Sequence, residues 1–400
     1  MNKYPVFRKV EAAPIEHEGQ QLIHIHDPFG FSNPLAVSPG AFFLMTLMDG
    51  NNGLTEIREA FHKATGQLAA KDEIQEIITA LDEAFYLDNG RFRAHRAAVI
   101  RKFAESPTRK PALAGKSYPA DREGLLKLID GLLAKASPGA GGVKAIIVPH
   151  IDFRVGGDMM AAGWSHARNS GADLFIILGI GHSLTEDFVS CLAKDFETPA
   201  GPMRVDKGFL ENLRRNFGED IYSQPEAHMN EHSIEFQSLF FARLFGDNPE
   251  AAAAPILLSF PENVWDYGHE KFNGDRVDRF INALKKTVEE SGRQALYVAS
   301  VDFSHVGRRF GDMGKLDDAQ LARIGVDDRE IMALFNDGDR AGFLEKLRGV
   351  NGNNRVCGFP ALYTLLAALE NTRGETLEYR QNMEGDRETL VSFASMVARG

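Results

Sequence analysis

Cysteine is nearly missing from this chain, with only Cys191 and Cys357 among 400 residues. Two thiols build no disulfide framework, and such sparse usage fits a reducing compartment. No stretch approaches about 18 unbroken apolar residues, so no membrane-spanning helix is expected. The start, Met1–Asn2–Lys3–Tyr4–Pro5, lacks the apolar core of a signal peptide, and the expectation is a soluble, cytoplasmic protein with no membrane contact. Positive charge is in deficit: 45 Lys and Arg against 56 Asp and Glu leave a formal charge of −11. Affinity for phosphate comes from clustered Lys and Arg, so no broad nucleic-acid surface is expected. Familiar signatures are missing as well. There is no His-Glu-x-x-His helix and no Cys-x-x-Cys pair. Gly115–Lys116–Ser117 mimics a phosphate loop, but Lys110 stands where its first glycine belongs. Gly179–Ile180–Gly181 follows an apolar run, but Leu184 occupies the third glycine of a dinucleotide fingerprint.

What the chain has instead is three apolar runs that each end at a histidine: 145–150, 174–182 and 296–305, closing on His150, His182 and His305. Runs of this kind read as strands buried on both faces of an α/β sheet. Such sheets place their chemistry just beyond the strand carboxyl ends. Cys357 is a fourth candidate, because it precedes Gly358 and an apolar helix with Pro360 near its start. Unpaired N–H groups at a helix start lower a thiol's pKa. Imidazoles and a thiol converging on one cleft suggest a metal site. Asp302, three residues before His305, is placed to reach an imidazole or the metal, and Asp152 beside His150 has either that role or a salt bridge with Arg154. In 228–235, Glu231 and Glu235 suit the dipole of a helix start. His232 is preferred to His228 as a site residue there. Cys191 reads as a buried small hydrophobe, and His24 and His26 as surface residues of a hairpin strand.

A length of 400 residues exceeds the roughly 250–300 at which single cores stop growing, so two domains are expected. In the first, residues 1–105, a hairpin through Glu18–Gly19 precedes three helices. These are 40–48 with Ser38–Pro39 at its start, 56–65 capped by Thr55 and stopped by Gly66, and 71–85. Asn89–Gly90 then signals a second hairpin, completing a small α+β winged helix-turn-helix. The third helix carries Asp72, Glu73, Glu76, Asp82 and Glu83 against Lys71 alone, which argues against DNA. The stretch from His26–Asp27–Pro28 through Leu47–Met48–Asp49–Gly50 to Leu87 resembles the PqqD-like fold, which implies peptide recognition. Ser106–Pro111 reads as a linker. From 112 to 400, strands and helices alternate as in a three-layer α/β sandwich, with a glycine loop at 139–142.

The second domain resembles the Memo family, also called AmmeMemoRadiSam system protein B. The matching motifs, in order, are 114–121, Val148–Pro149–His150, Ile177–Leu178–Gly179 with Gly181–His182, and Thr198–Pro199 with Gly201–Pro202. Then come Glu231–His232–Ser233–Ile234–Glu235, Ser300 with Asp302–Phe303–Ser304–His305 and Gly307, Cys357–Gly358, and Val391–Ser392–Phe393–Ala394. The resemblance implies the fold of class III extradiol (LigB-like) dioxygenases. It also implies His150, His182 and Cys357 as ligands of a divalent metal, Fe(2+) first, with copper or zinc as alternatives. Asp302, His305 and His232 stand around the same cleft as catalytic candidates. Two segments depart from the family pattern: Ser183 follows His182 where a second histidine is usual, and Ile151–Asp152–Phe153 replaces Ala-Gly-Tyr after His150. The implied activity is iron-dependent redox or dioxygenase-type chemistry on an unidentified small molecule. The alternative is a non-catalytic metal-binding or redox adaptor, whose first domain recruits a peptide or a radical-SAM or AMMECR1-like protein.

Overall fold

The computed structural model describes residues 4–400 except 138, 140, 267–269 and 370–371, so part of the expected glycine loop lies outside the described residues. The chain divides into two compact units, Met1–Ser106 and Pro107–Gly400.

In the first unit, β1 (Glu11–His17) and β2 (Gln20–His26) form an antiparallel hairpin. Its turn uses left-handed backbone at Glu18 (φ 50°) and Gly19 (φ 75°), the twist that closes a two-residue hairpin. β3 (Leu35–Val37) joins β2, and Ser38 caps α1 (Pro39–Thr46). The cap of α2 (Leu54–Thr65) is Gly53 and not Thr55, with the Glu56 carboxylate accepting from the Gly53 N–H. α3 (Lys71–Glu83) packs Ile74, Ile78 and Leu81 into a core with Ile25, Met45, Ile57 and Tyr86. The expected second hairpin is absent. Asn89 Oδ1 accepts from Phe92 N and starts α4 (Gly90–Glu105). Asn is as good a helix N-cap as a turn residue, and the Arg- and Ala-rich segment beyond it propagates a helix. Helix α4 therefore stands where the wing was expected, and it carries Arg91, Arg93, Arg96, Arg101 and Lys102.

The second unit runs β4 (Thr108–Arg109), α5 (Arg122–Leu133), β5 (Val143–Val148), α6 (Phe153–Ala167), β6 (Leu174–Ile180), β7 (Val189–Cys191), β8 (Asp195–Phe196) and α7 (Lys207–Phe217). It continues with α8 (His232–Phe245), β9 (Ala252–Leu258), α9 (Gly274–Ser291), β10 (Ala295–Ser300), β11 (His305–Gly307), α10 (Asp318–Asn336) and α11 (Arg340–Asn354). α12 (Phe359–Ala368), β12 (Arg373–Glu384) and β13 (Thr389–Arg399) close it. The segment expected as a linker is built into the second unit: β4 pairs in parallel with β8, and Arg109 is 1% exposed.

One sheet has the order β11–β13–β5–β10–β6–β9–β7, with β12 along the far edge of β13. β5, β10, β6 and β9 are parallel, and β13 and β7 flank them antiparallel. Helices α5, α6 and α8 cover one face, where Phe175 of β6 stacks on Trp164 and meets Phe241 edge-on. Helices α7, α9 and α12 cover the other, giving the three-layer α/β sandwich. The register pairs Ser300 with Val148 and Ala299 with Leu178. The parallel strands thus end level, and their next residues emerge together. Gly179 lets α8 lie on β6, because a Cβ there would stand 2.7 Å from Ile234 Cγ1 and Ser233 Oγ. Among the described residues no helix is long and apolar enough to cross a membrane.

Candidate metal centre

Three elements deliver three imidazoles to the carboxyl ends of the parallel strands. His150 follows β5, His182 follows β6, and His232 is the first residue of α8. One ligand atom from each lies within 4.8 Å of the others, and the ring centroids are 5.1, 5.2 and 4.9 Å apart. His232, expected beside the metal, thus stands among the candidate ligands. Cys357 adjoins the trio with Sγ 3.5 Å from His150 Nε2 and 3.5 Å from the Asp302 carbonyl.

Each imidazole is held from behind. His150 Nδ1 lies 2.9 Å from the Ser300 carbonyl, so Nδ1 carries the proton and Nε2 presents its lone pair to the site. His182 Nδ1 lies 3.1 Å from both oxygens of Glu231, whose Oε2 also accepts from His182 N at 3.0 Å. His232 Nδ1 is 3.3 Å from Glu231 Oε1. Glu231, read from sequence as a helix-dipole residue, therefore serves two imidazoles while its Oε1 caps Ser233 N at 2.9 Å. The only sequence signal for this was an acid directly preceding a histidine at a helix start. Gln237 donates to the Pro149 carbonyl (3.0 Å) and Ser300 Oγ (2.9 Å), and Ser300 Oγ donates to the Ser233 carbonyl. Ser233 Oγ donates to the Ile180 carbonyl at 3.0 Å, so helix α8 is stitched to the segments bearing His150 and His182.

Electrostatics follow burial and neighbours. Burial, with the charges of His182 and His232, holds His150 well below the usual imidazole range. Burial likewise brings His232 down to about 4. Burial would also lower His182, but Glu231, aided by the Cys357 thiol, carries it well above. Glu231 goes the opposite way: burial opposes ionisation, yet His182 and His232 hold the carboxylate well below its ordinary value. A buried, ionised carboxylate calls for a cation beside it. A protonated His182 would supply one in the metal-free site, and a bound divalent ion would take its place once His182 ligates as the neutral imidazole. Burial raises the Cys357 thiol, partly offset by His182, which reverses the lowering expected from a helix start. Asp302 Oδ1 accepts from His150 N (3.0 Å) and Ile151 N (3.3 Å), Oδ2 lies 3.7 Å from His150 Nε2, and burial pushes this acid up to about 7.

His305 is placed differently. It opens β11, donates Nδ1–H to the Phe303 carbonyl at 3.0 Å, and meets the Phe310 ring at 5.0 Å. Burial lowers it to about 4. The turn that carries it is fixed by fully buried Asp328, which accepts from Ser304 Oγ (2.6 Å), Ser392 Oγ (2.5 Å) and Tyr379 OH (2.7 Å). Asp152 caps α6 and forms the expected salt bridge with Arg154. His228 is buried with Nε2 3.2 Å from Ser190 Oγ, and Cys191 is a buried strand residue.

The donor set fits a metal. Metal–nitrogen bonds of about 2.1 Å place two ligands of one ion no more than about 4.2 Å apart, so small movements bring these imidazoles onto a shared ion. Two imidazoles already have Nδ1 engaged by an oxygen, the arrangement that orients metal-binding histidines.

Comparison with known proteins identifies the family of the chain. The profile described as Memo-like protein matches residues 109–397. A MEMO1 family protein of Aquifex aeolicus is 32% identical over 392 residues, covering 97% of this chain and 99% of its own. A MEMO1 family protein of Thermus thermophilus is 27% identical over 364 residues, covering 88% and 100%. The memo-1 homolog of Caenorhabditis elegans is 26% identical over 305 residues, covering 72% and 82%. Matched by the family profile across nearly all of its second unit, and by a relative across nearly its whole length, the chain belongs to the Memo family.

Proposed function

We propose that the second unit is a mononuclear metal protein in which His150, His182 and His232, with Cys357 beside them, hold a redox-active divalent ion, iron first, for oxygen-dependent chemistry. The observation that carries this reading is the convergence within 4.8 Å of three imidazole ligand atoms, two from just beyond the parallel strands β5 and β6 and one from the start of α8. A bound iron would supply open positions at which a small organic substrate and dioxygen meet. The protein's own groups orient and move protons. Asp302 is anchored through Oδ1 and keeps Oδ2 toward the cleft, with a pKa near 7, where a proton carrier is most effective. His305, neutral at pH 7, is the second acceptor. Cys357 binds metal as the thiolate, so its proton must leave on metal binding.

The thiol 3.5 Å from His150 Nε2 favours one other reading, a redox or metal-carrying adaptor whose first unit recruits a peptide or a radical-SAM or AMMECR1-like protein. Metal analysis of anaerobically purified protein, followed by Fe(II) titration, tests the shared core of both. One ion per chain is expected, with occupancy lost in His150→Ala and His182→Ala and reduced in His232→Ala and Cys357→Ser. Full occupancy in all four variants, or none in folded wild type, sinks the reading. Oxygen consumption by the reduced iron form separates enzyme from adaptor.

A further inference from the structure

The buried polar group farthest from expectation is Arg109, which sits in the supposed linker yet is 1% exposed. Its guanidinium forks in three directions. Nε donates to the His228 carbonyl at 3.1 Å, Nη2 to the Glu231 carbonyl at 3.0 Å, and Nη1 to the Glu235 carboxylate. Glu235 in turn accepts from Ala112 N (3.0 Å), Leu113 N (2.8 Å) and Tyr118 OH (2.5 Å). The segment 109–118 is thus bolted onto the first turn of α8, and two of the bolts end on backbone carbonyls of the loop that presents Glu231 and His232.

A buried ion pair of this kind is weak as a source of stability, because an apolar pair of equal volume often does as well. Its geometry does something an apolar pair cannot. Only a planar fork of donors fixes two carbonyls and a carboxylate at once. We infer that Arg109 is a positioning residue for the metal centre: by fixing the Glu231 carbonyl it sets where the Glu231 carboxylate meets His182 and where His232 enters the site. The inference rests on the metal-centre reading above. It adds that metal affinity is set in part from β4, outside the residues that touch the ion.

The test uses the full chain and two probes, Fe(II) added anaerobically and Co(II) for its visible spectrum. Arg109→Met alone strands the Glu235 charge, so the main variant is Arg109→Met with Glu235→Gln, which removes both charges. The expected result is a folded protein, by circular dichroism and tryptophan fluorescence, whose affinity for both ions falls about 10- to 100-fold, as for other groups that orient ligands, with a shifted Co(II) spectrum. Arg109→Lys keeps the charge and loses the fork, and should lie between the double variant and wild type. If the double variant unfolds, Arg109→Lys carries the test. The control is Arg276→Met with Asp187→Asn, which removes another buried Arg–carboxylate pair of the same unit (2.6 and 2.9 Å). Wild-type affinity and spectrum in folded Arg109 variants, or equal weakening in the control pair, overturns the inference. Failure of wild type to bind either ion defeats the metal-centre reading itself and removes this inference with it.

Discussion

Glu231 grips His182 at two points, through the imidazole Nδ1 at 3.1 Å and through the backbone N–H at 3.0 Å. A single carboxylate therefore fixes both the tautomer of the ring and the place where its chain leaves β6. The charge matters as much as the shape, because the ionised form of Glu231 is what lifts His182. Glu231→Gln keeps the volume and discards the charge. Its affinity for Fe(II) should fall about 10- to 100-fold with the fold intact by circular dichroism. An unchanged affinity in a competition titration would show that Glu231 only caps α8.

Gly179 is the contact point of α8 with β6. Gly179→Ala introduces a methyl 2.7 Å from both Ile234 Cγ1 and Ser233 Oγ, and overpacking of this sort costs about 1–3 kcal/mol. The displaced turn is the one that starts at His232, so stability and metal affinity should fall together. Thermal unfolding followed by tryptophan fluorescence, with Fe(II) titration of the folded variant, checks both. Loss of stability with wild-type metal affinity would mean that the turn adjusts without moving His232.

The strands β5, β6 and β10 were legible because burial on both faces writes a continuous apolar run, although β10 stops at Ser300 and His305 opens β11. The polar parts of the same site were not. Arg109 finds its partner Glu235 126 positions away, and nothing local distinguishes it from a solvated linker residue. Glu231 was visible as a helix-start acid, but its reach to His182 depends on the register of β6 against α8. His232 reads from sequence as a neighbour of the metal, since a helix start does not reveal how near the strand ends it lies. Asn89–Gly90 misled because turn and helix N-cap share a chemistry. β12 was missed because Arg373–Glu384 is polar and lies at the sheet edge.

His305 and the imidazole trio should separate by mutation. His305 is not one of the three imidazoles whose ligand atoms group within 4.8 Å, and its ring packs on Phe310, so its free Nε2 is assigned to taking a proton rather than to replacing a ligand. His305→Ala should keep the iron and change oxygen consumption by the reduced protein. Iron loss matching that of His182→Ala would redraw the coordination sphere, and unchanged iron with unchanged oxygen consumption would leave His305 as structure alone.

Acid should loosen the second unit through its buried histidines, and His228 is the clearest case. Burial, reinforced by the Arg109 charge and opposed by Glu231, lowers it to about 3. An unfolded histidine titrates near 6.5. Between those values the unfolded chain binds the extra proton, so stability is full above about pH 6.5 and declines toward pH 3, by up to about 1.4 kcal/mol per pH unit. His232 and His305, each brought to about 4, steepen the decline over the same window. His228→Gln removes one proton from this balance and leaves the backbone carbonyl that Arg109 uses. Both tryptophans, Trp164 and Trp265, lie in the second unit, so their fluorescence follows that unit alone in urea titrations at pH 7, 6 and 5. The variant should lose less stability than wild type from pH 7 to 5. Equal slopes would show that His228 is already protonated in the folded protein and that its environment is more polar than its burial beside Ser190 indicates.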